Sequence, residues 1–194
     1  MWRLSLLNLT RWIFVIVGLV LVFSPTEWWP TYYRPILMGI VAISYSYLIA
    51  LPRIIFKKVP LQTIQEFQGI LAVNLILCSI GSLGLWSTSF WGVIDYDKLV
   101  HFIFSASMLV VGPPLLSRQY SWSIKKAVII SMIITAFSGI AWEFIEYFFA
   151  AYFHIDFFGT LFDHDSRFDL ITNLSGIITG MFFVTLRYRF SPSI

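Results

Sequence analysis

Apolar residues fall along this chain in six long runs, separated by short stretches that hold most of the charges and prolines. The runs are roughly Leu9–Phe23, Ile36–Leu51, Gly69–Trp86, Leu99–Leu116, Ala127–Phe149 and Leu170–Leu186. None alternates apolar with polar residues at period two, as membrane barrel strands do. A bilayer core ~30 Å thick takes about 20 helical residues. Several runs are shorter than that, and flanking aromatic residues complete them. Trp12, Trp28, Trp29, Trp86, Trp91 and Trp122 lie at or near run ends, where an interfacial aromatic belt belongs. Pro25, Pro30, Pro35, Pro52 and Pro60 lie in or beside connections. Pro113 and Pro114, which follow Gly112, are expected to kink or end the fourth helix. The pattern predicts an all-α polytopic membrane helix bundle of about six transmembrane helices. It forms one domain over residues 1–194, with no soluble domain, linker or low-complexity stretch.

Composition sharpens this. Hydrophobic residues make up 58% of the 194 positions and charged residues 12%, where a soluble domain is about a quarter charged. The mean hydropathy is +0.81. A net charge of +3 and a pI near 9.1 would fit a nucleic-acid partner. That partner is rejected, because the basic residues occur as small groups beside apolar runs rather than as one patch. Cys78 is the only cysteine, so no intramolecular disulfide forms. The first run has no small-residue cleavage pattern after it and reads as a retained span.

The charges predict an orientation. With the N-terminus cytoplasmic, the inner segments hold Arg3, Arg11, Arg53, Lys57, Lys58, Arg118, Lys125, Lys126, Arg187 and Arg189. That is ten of the thirteen basic residues. The outer loops hold Arg34, Lys98 and Arg167. Such a split over short loops is a positive-inside signal, and it predicts that both termini are cytoplasmic. The acids run the other way. Only Glu66 is expected in an inner loop, whereas Glu27, Asp95, Asp97, Asp156, Asp163, Asp165 and Asp169 fall outside. Glu143 and Glu146 lie inside the fifth run, toward its outer end.

Three stretches carry most of the polar chemistry. In the first, Asp97 and His101 are spaced i, i+4 and share a helix face if the fourth helix extends back that far. In the second, Glu143 and Glu146 are spaced i, i+3. The third runs from Phe158, Gly159 and Thr160 through Asp163, His164 and Asp165 to Asp169, Asn173, Gly176 and Gly180. Its last four residues form one helical stripe, and the Gly176–Gly180 pair lets another helix approach closely. Glu143 is 16 residues beyond Ala127. At ~1.5 Å per residue that is about 24 Å, roughly 6 Å below the outer boundary of the core. His101 and Asn173 are each within about a turn of their outer helix ends. Three helices therefore place polar side chains at similar depth, and one outward-facing pocket is expected, since intramembrane charges face a bundle interior or a wet cavity.

If the groups converge, Asp97, Glu143, Glu146, Asp163, Asp165 and Asp169 outnumber Lys98 and Arg167. Protons or a bound cation must then relieve the excess. Carboxylates with His101 and Asn173 suit a divalent metal without selecting one. Plainer readings compete. Asp97 and Asp169 would serve as helix caps, and His101 as an interhelical hydrogen-bonding group. Glu143 and Glu146 would pair with Lys98 and Arg167, and Asp163, His164 and Asp165 would form a solvated loop. Asn74 reads as interhelical glue.

At these residues the second half of the chain resembles the VanZ-like and YjdF-like families of small bacterial membrane proteins. The resemblance rests on DKLVHF from Asp97 to Phe102, EFIEY from Glu143 to Tyr147, FFGT from Phe157 to Thr160 and DLITNLSGIITG from Asp169 to Gly180. YjdF-like sequences continue Phe-Gly-Thr with Gln-Gly-Asp; here Leu161, Phe162 and Asp163 follow, so only Asp163 matches. The resemblance implies a multi-pass protein of the bacterial cytoplasmic membrane. VanZ-like proteins are associated with glycopeptide resistance, and the resemblance carries over no catalytic residues.

Two functions from different classes fit. The first is metal-assisted hydrolysis or group transfer on a lipid-linked substrate. Asp97, His101, Glu143, Glu146, Asp163 and Asp169 would be the candidate ligands of a divalent metal ion, and Glu143, Glu146 and His101 the catalytic groups. Lys98, Arg167 and Asn173 would hold the substrate, with either cation on an anionic headgroup. No nucleophile motif, HExxH or phosphate-binding loop accompanies them. The second is a non-enzymatic binder or transporter of a cation, proton or lipid headgroup. Against transport stand the lack of an internal repeat and the apolar inner halves of the spans. Membrane lipid is the expected partner in either case, and the sequence leaves oligomeric state open.

Overall fold

The computed structural model describes residues 2–28, 35–81, 85, 88–90, 94–153 and 165–190. Within them lie six long helices: α1 (Trp2–Phe23), α2 (Pro35–Ile55), α3 (Leu61–Ile80), α4 (Tyr96–Tyr120), α5 (Ile124–Phe153) and α6 (Asp165–Phe190). Each is long and apolar enough to cross a bilayer. Large apolar side chains stay exposed along them, such as Ile16 on α1, Ile133, Phe137 and Phe144 on α5, and Phe182 on α6. In water such faces would be a liability. In a bilayer they are the lipid-contacting surface. The chain is an all-α, multi-pass membrane protein.

The chain divides into two compact units, residues 1–79 and 80–194. In the first, α1 and α2 approach closely where Gly18 faces Gly39. A Cβ added at Gly18 would lie 2.7 Å from the Gly39 carbonyl oxygen. Leu7, Phe14, Ala42, Ile49, Ala72 and Leu75 form the apolar core of this unit, with Tyr45 packed edge-on to Phe14. Arg11 donates to the Ser46 carbonyl and Gln68 to the Ile49 carbonyl, both across helices. Asn74 is buried, and its amide donates to the Ile70 carbonyl one turn back in its own helix.

The second unit begins with a short hairpin, β1 (Ser89–Phe90) and β2 (Ile94–Asp95), which the apolar runs give no reason to expect. It leads straight into α4. The Tyr96 N–H donates to the Thr88 carbonyl, Tyr96 is buried, and its ring lies against Phe90. The helix start is thereby pinned, which sets Asp97 and His101 on the first turns of α4. The helix does not end at Pro113 and Pro114 but continues to Tyr120. Proline deletes one backbone donor and crowds the preceding turn, and in a span the flanking turns and neighbouring helices hold the helix through such a defect. Ser121, at a left-handed φ of 54°, ends it.

Most helix bounds move outward from the apolar runs, although α3 ends at Ile80, short of Trp86. The largest shift is in α3, which starts at Leu61 rather than near Gly69. Thr63, Gln65, Glu66 and Gln68 read as a loop by polarity, but these polar residues are accommodated in a helix. Gln62 bonds Glu66 one turn on, and Thr63 and Gln68 are buried. Glu66 therefore lies in α3, not in an inner loop.

α4 and α6 run parallel and pack tightly. A Cβ at Gly176 would come within 2.5 Å of the Phe102 carbonyl oxygen, and one at Gly180 within 2.5 Å of the Ala106 carbonyl oxygen. α5 runs antiparallel beside them. The N-terminal ends of α4 and α6 and the C-terminal half of α5 thus share one end of this unit.

Candidate functional site

That shared end gathers the polar residues of three helices. From the first two turns of α4 come Asp97, Lys98 and His101, with Ser105 one turn deeper. α6 supplies Asp169 and Asn173, and α5 supplies Glu143 and Glu146. Asp169, Asn173, Ser105 and Glu143 are buried, and Asp97, Lys98 and His101 nearly so.

Lys98 is the central cation. Its ammonium lies 2.7 Å from Asp169 Oδ1 and 3.2 Å from Asp97 Oδ2. It joins α4 to α6 through a short charge pair held away from water, where such a contact is far stronger than on a surface. The other Asp97 oxygen, Oδ1, faces His101 Nε2 at 3.5 Å. The imidazole's Nδ1 meets Asn173 Nδ2 at 3.1 Å, and Ser105 Oγ donates to Asn173 Oδ1 at 2.7 Å. Asp97, His101, Asn173 and Ser105 thus form one chain of polar contacts from the end of the bundle inward. With the amide nitrogen donating, Nδ1 accepts and Nε2 carries the proton toward Asp97.

Asp97 and Asp169 do not act as helix caps. Asp95 holds the N-cap position of α4, and Asp169 lies a full turn inside α6. Their carboxylates point at the cluster.

Glu143 differs from every other member. It is only 7% exposed, and neither carboxylate oxygen has a hydrogen-bond partner among the described residues. The Ser166 hydroxyl approaches it outside strict hydrogen-bond geometry, and His101, Asp97 and Lys98 lie within its electrostatic reach. Glu146, half-buried one turn on, faces the same way. It interacts with Glu143, His101 and Asp97, and with Trp142 on its own helix. A buried carboxylate without donors is costly and calls for a cation or proton. Among the described residues neither glutamate forms a salt bridge with Lys98 or Arg167. Arg167 is exposed.

Of the residues singled out from sequence, Asp97, Lys98, His101, Glu143, Glu146, Asp169 and Asn173 therefore come together. Asp163 and His164 lie outside the described residues, as do Asp156 and the Phe157–Thr160 stretch. Two participants carried no sequence signal. Ser105 is one. Gly139, one turn before Glu143, is the other: a Cβ there would lie 2.8 Å from Asn173 Nδ2, so only glycine leaves room for the amide to reach His101.

Asp97, His101 and Asp169 can each offer one ligand atom, all within 4.8 Å of one another. Two carboxylate oxygens and an imidazole nitrogen are a donor set suited to zinc or manganese. The partnerless Glu143 beside them adds negative charge with no described counterion in hydrogen-bond contact, so the residues present fit a divalent cation.

Comparison with curated proteins and with solved structures finds no match. A family model described as a predicted membrane protein, DUF2238, matches residues 6–189. Because the match spans nearly the whole chain, the protein belongs to that predicted membrane protein family, DUF2238.

Proposed function

We propose that this protein binds a divalent metal ion in an outward-facing intramembrane pocket and uses it in hydrolysis or group transfer on a lipid-linked substrate. The observation that carries this reading is the convergence of Asp97, His101 and Asp169 from two helices, within 4.8 Å, beside a buried glutamate that lacks a hydrogen-bonding partner. When bound, the cation would supply Lewis acidity and charge neutralisation. Asp97, His101 and Asp169 would hold it. Asn173 would set the imidazole. Turned over, its amide accepts from Nδ1–H and donates to Ser105, the support that a ligating histidine takes from its neighbours. Glu143 would take a proton from the attacking water, with Glu146 passing protons on toward the solvent. Asp163 would join as a further ligand and Arg167 would hold an anionic headgroup at the outer rim. The VanZ-like and YjdF-like resemblance and the distribution of basic residues support a bacterial cytoplasmic membrane location with both termini inside.

Thermal unfolding in detergent tests this. Zinc or manganese should raise the melting temperature of the parent chain, and chelator should reverse it. At a hundredfold excess over Kd the gain is about 2.7 kcal/mol. His101→Ala and Asp169→Asn should lose the metal response while remaining inserted, and Glu143→Gln should need more metal for the same rise. A parent chain whose melting ignores both metal and chelator contradicts the reading.

A second reading makes the pocket a non-enzymatic binder or transporter. The Lys98 ammonium held by Asp97 and Asp169 favours it, because that contact is cation binding without covalent chemistry. In vesicles, release of a lipid headgroup supports the enzyme, and uptake of tracer cation without release supports the second reading.

A further inference from the structure

The Lys98 ammonium sits against both carboxylates that a metal ion would take. It contacts Asp169 Oδ1 at 2.7 Å and Asp97 Oδ2 at 3.2 Å, and both carboxylates belong to the three-residue ligand set. An ammonium and a divalent ion cannot share that position. At contact distance the two positive charges repel strongly even where water screens them in part. Metal entry therefore requires Lys98 to leave. A displaced ammonium in a span needs another anion, since an uncompensated charge there is costly. Glu143 meets the requirement. It comes from a different helix, is buried, has no hydrogen-bond partner on either oxygen among the described residues, and lies within electrostatic reach of Lys98.

Building on the metal-site reading, we propose that Lys98 is an exchangeable occupant of the site, held by Asp97 and Asp169 in the absence of metal and passed to Glu143 when metal binds. Among Asp97, Asp169, Glu143 and Lys98, charge balances in the metal-bound arrangement, with the half-buried Glu146 outside this count. The divalent ion offsets Asp97 and Asp169, and the ammonium offsets Glu143. Without metal, Lys98 offsets one of the two aspartates and keeps the pocket from collapsing or repelling itself open. With metal bound, Glu143 is then the second seat of the ammonium and not a metal ligand, and the base role falls to Glu146. Long, flexible lysine suits such a swap, because its ammonium is a point charge that forms a new contact without a fixed fork geometry.

Calorimetric titration of zinc chloride into the purified full-length protein in detergent, at one fixed pH, provides the test through a double-mutant cycle. Lys98→Met should bind zinc more tightly, by a factor on the order of ten, the scale of one removed competing ion pair. Glu143→Gln should bind zinc more weakly by a similar factor, because the ammonium loses its second seat. In the double variant, Glu143→Gln should change affinity little relative to Lys98→Met alone, since no ammonium needs rehousing. That non-additivity is the signature. If Glu143→Gln weakens zinc equally with and without Lys98, Glu143 is a ligand and the exchange is wrong. If Lys98→Met weakens zinc binding, Lys98 is no competitor and the proposal also fails. If neither the parent nor Lys98→Met binds zinc, the metal-site reading itself fails, an outcome distinct from the other two. Lys98→Gln, with melting measured in the absence of metal, separates these results from misfolding: it should unfold as one transition and follow Lys98→Met in affinity.

Discussion

Asn173 bonds on both sides of its amide, to His101 and to Ser105, and Gly139 clears the space in which it does so. A methyl at position 139 would meet the amide nitrogen at 2.8 Å, and the flexible side chain of Asn173, not backbone, would have to yield. Gly139→Ala should therefore leave α5 in place but break the His101 contact. The expected loss is about 1–2 kcal/mol of stability, the scale of a buried hydrogen bond. Asn173→Ala in the Gly139→Ala background should add less than it does alone, which denaturant unfolding of the four proteins checks. Strictly additive losses would mean that the glycine matters for some other contact. At this scale the sequence was partly legible. Asp97 with His101 and the two glutamates stand out because charge in an apolar run needs a reason. Ser105 and Gly139 do not, because a small residue in a span is ordinary until its neighbour across the helix is known.

Among the elements, the parallel pair α4 and α6 depends on close backbone approach. Gly176 faces the Phe102 carbonyl oxygen and Ser105 Cβ, and Gly180 faces the Ala106 carbonyl oxygen and Leu109 Cβ. Backbone atoms cannot step aside as a side chain can. Gly176→Ala should therefore cost about 1–3 kcal/mol by overpacking, or more if the helices separate. Gly69, within α3, is the matched control, because nothing lies within 4 Å of the Cβ it would gain. Gly69→Ala should stabilise by about 0.5–1 kcal/mol, the ordinary helix preference of alanine over glycine. Equal effects at the two positions would contradict the close α4–α6 contact. The Gly176–Gly180 spacing announced that contact in the sequence. The extent of α3 was not announced, because Thr63, Gln65, Glu66 and Gln68 are polar and helix formation does not require apolar residues. Nor was the passage of α4 through Pro113 and Pro114, since proline's local penalty is visible in sequence whereas the packing that outweighs it is not.

For the whole molecule, six helices able to span a bilayer follow from hydropathy alone, since backbone in lipid must satisfy its own hydrogen bonds. The orientation is a separate matter and rests on the basic residues. A reporter fused after Ile194 should read cytoplasmic. A cysteine replacing exposed Asp95 should label from outside intact cells, and one replacing exposed Lys125 should not, in a Cys78→Ser background. Labelling of Lys125→Cys from outside would invert the topology and put the acidic end toward the cytoplasm.

Under the proposed function, the end of the bundle formed by α4, α5 and α6 is a cation site. The most direct measurement is anomalous diffraction from crystals of the protein grown with manganese. One anomalous peak is predicted within coordination distance of Asp97, His101 and Asp169, with the Lys98 ammonium moved off Asp169. A refined structure at the same manganese concentration that shows no peak there, with Lys98 still against Asp169, would contradict the account.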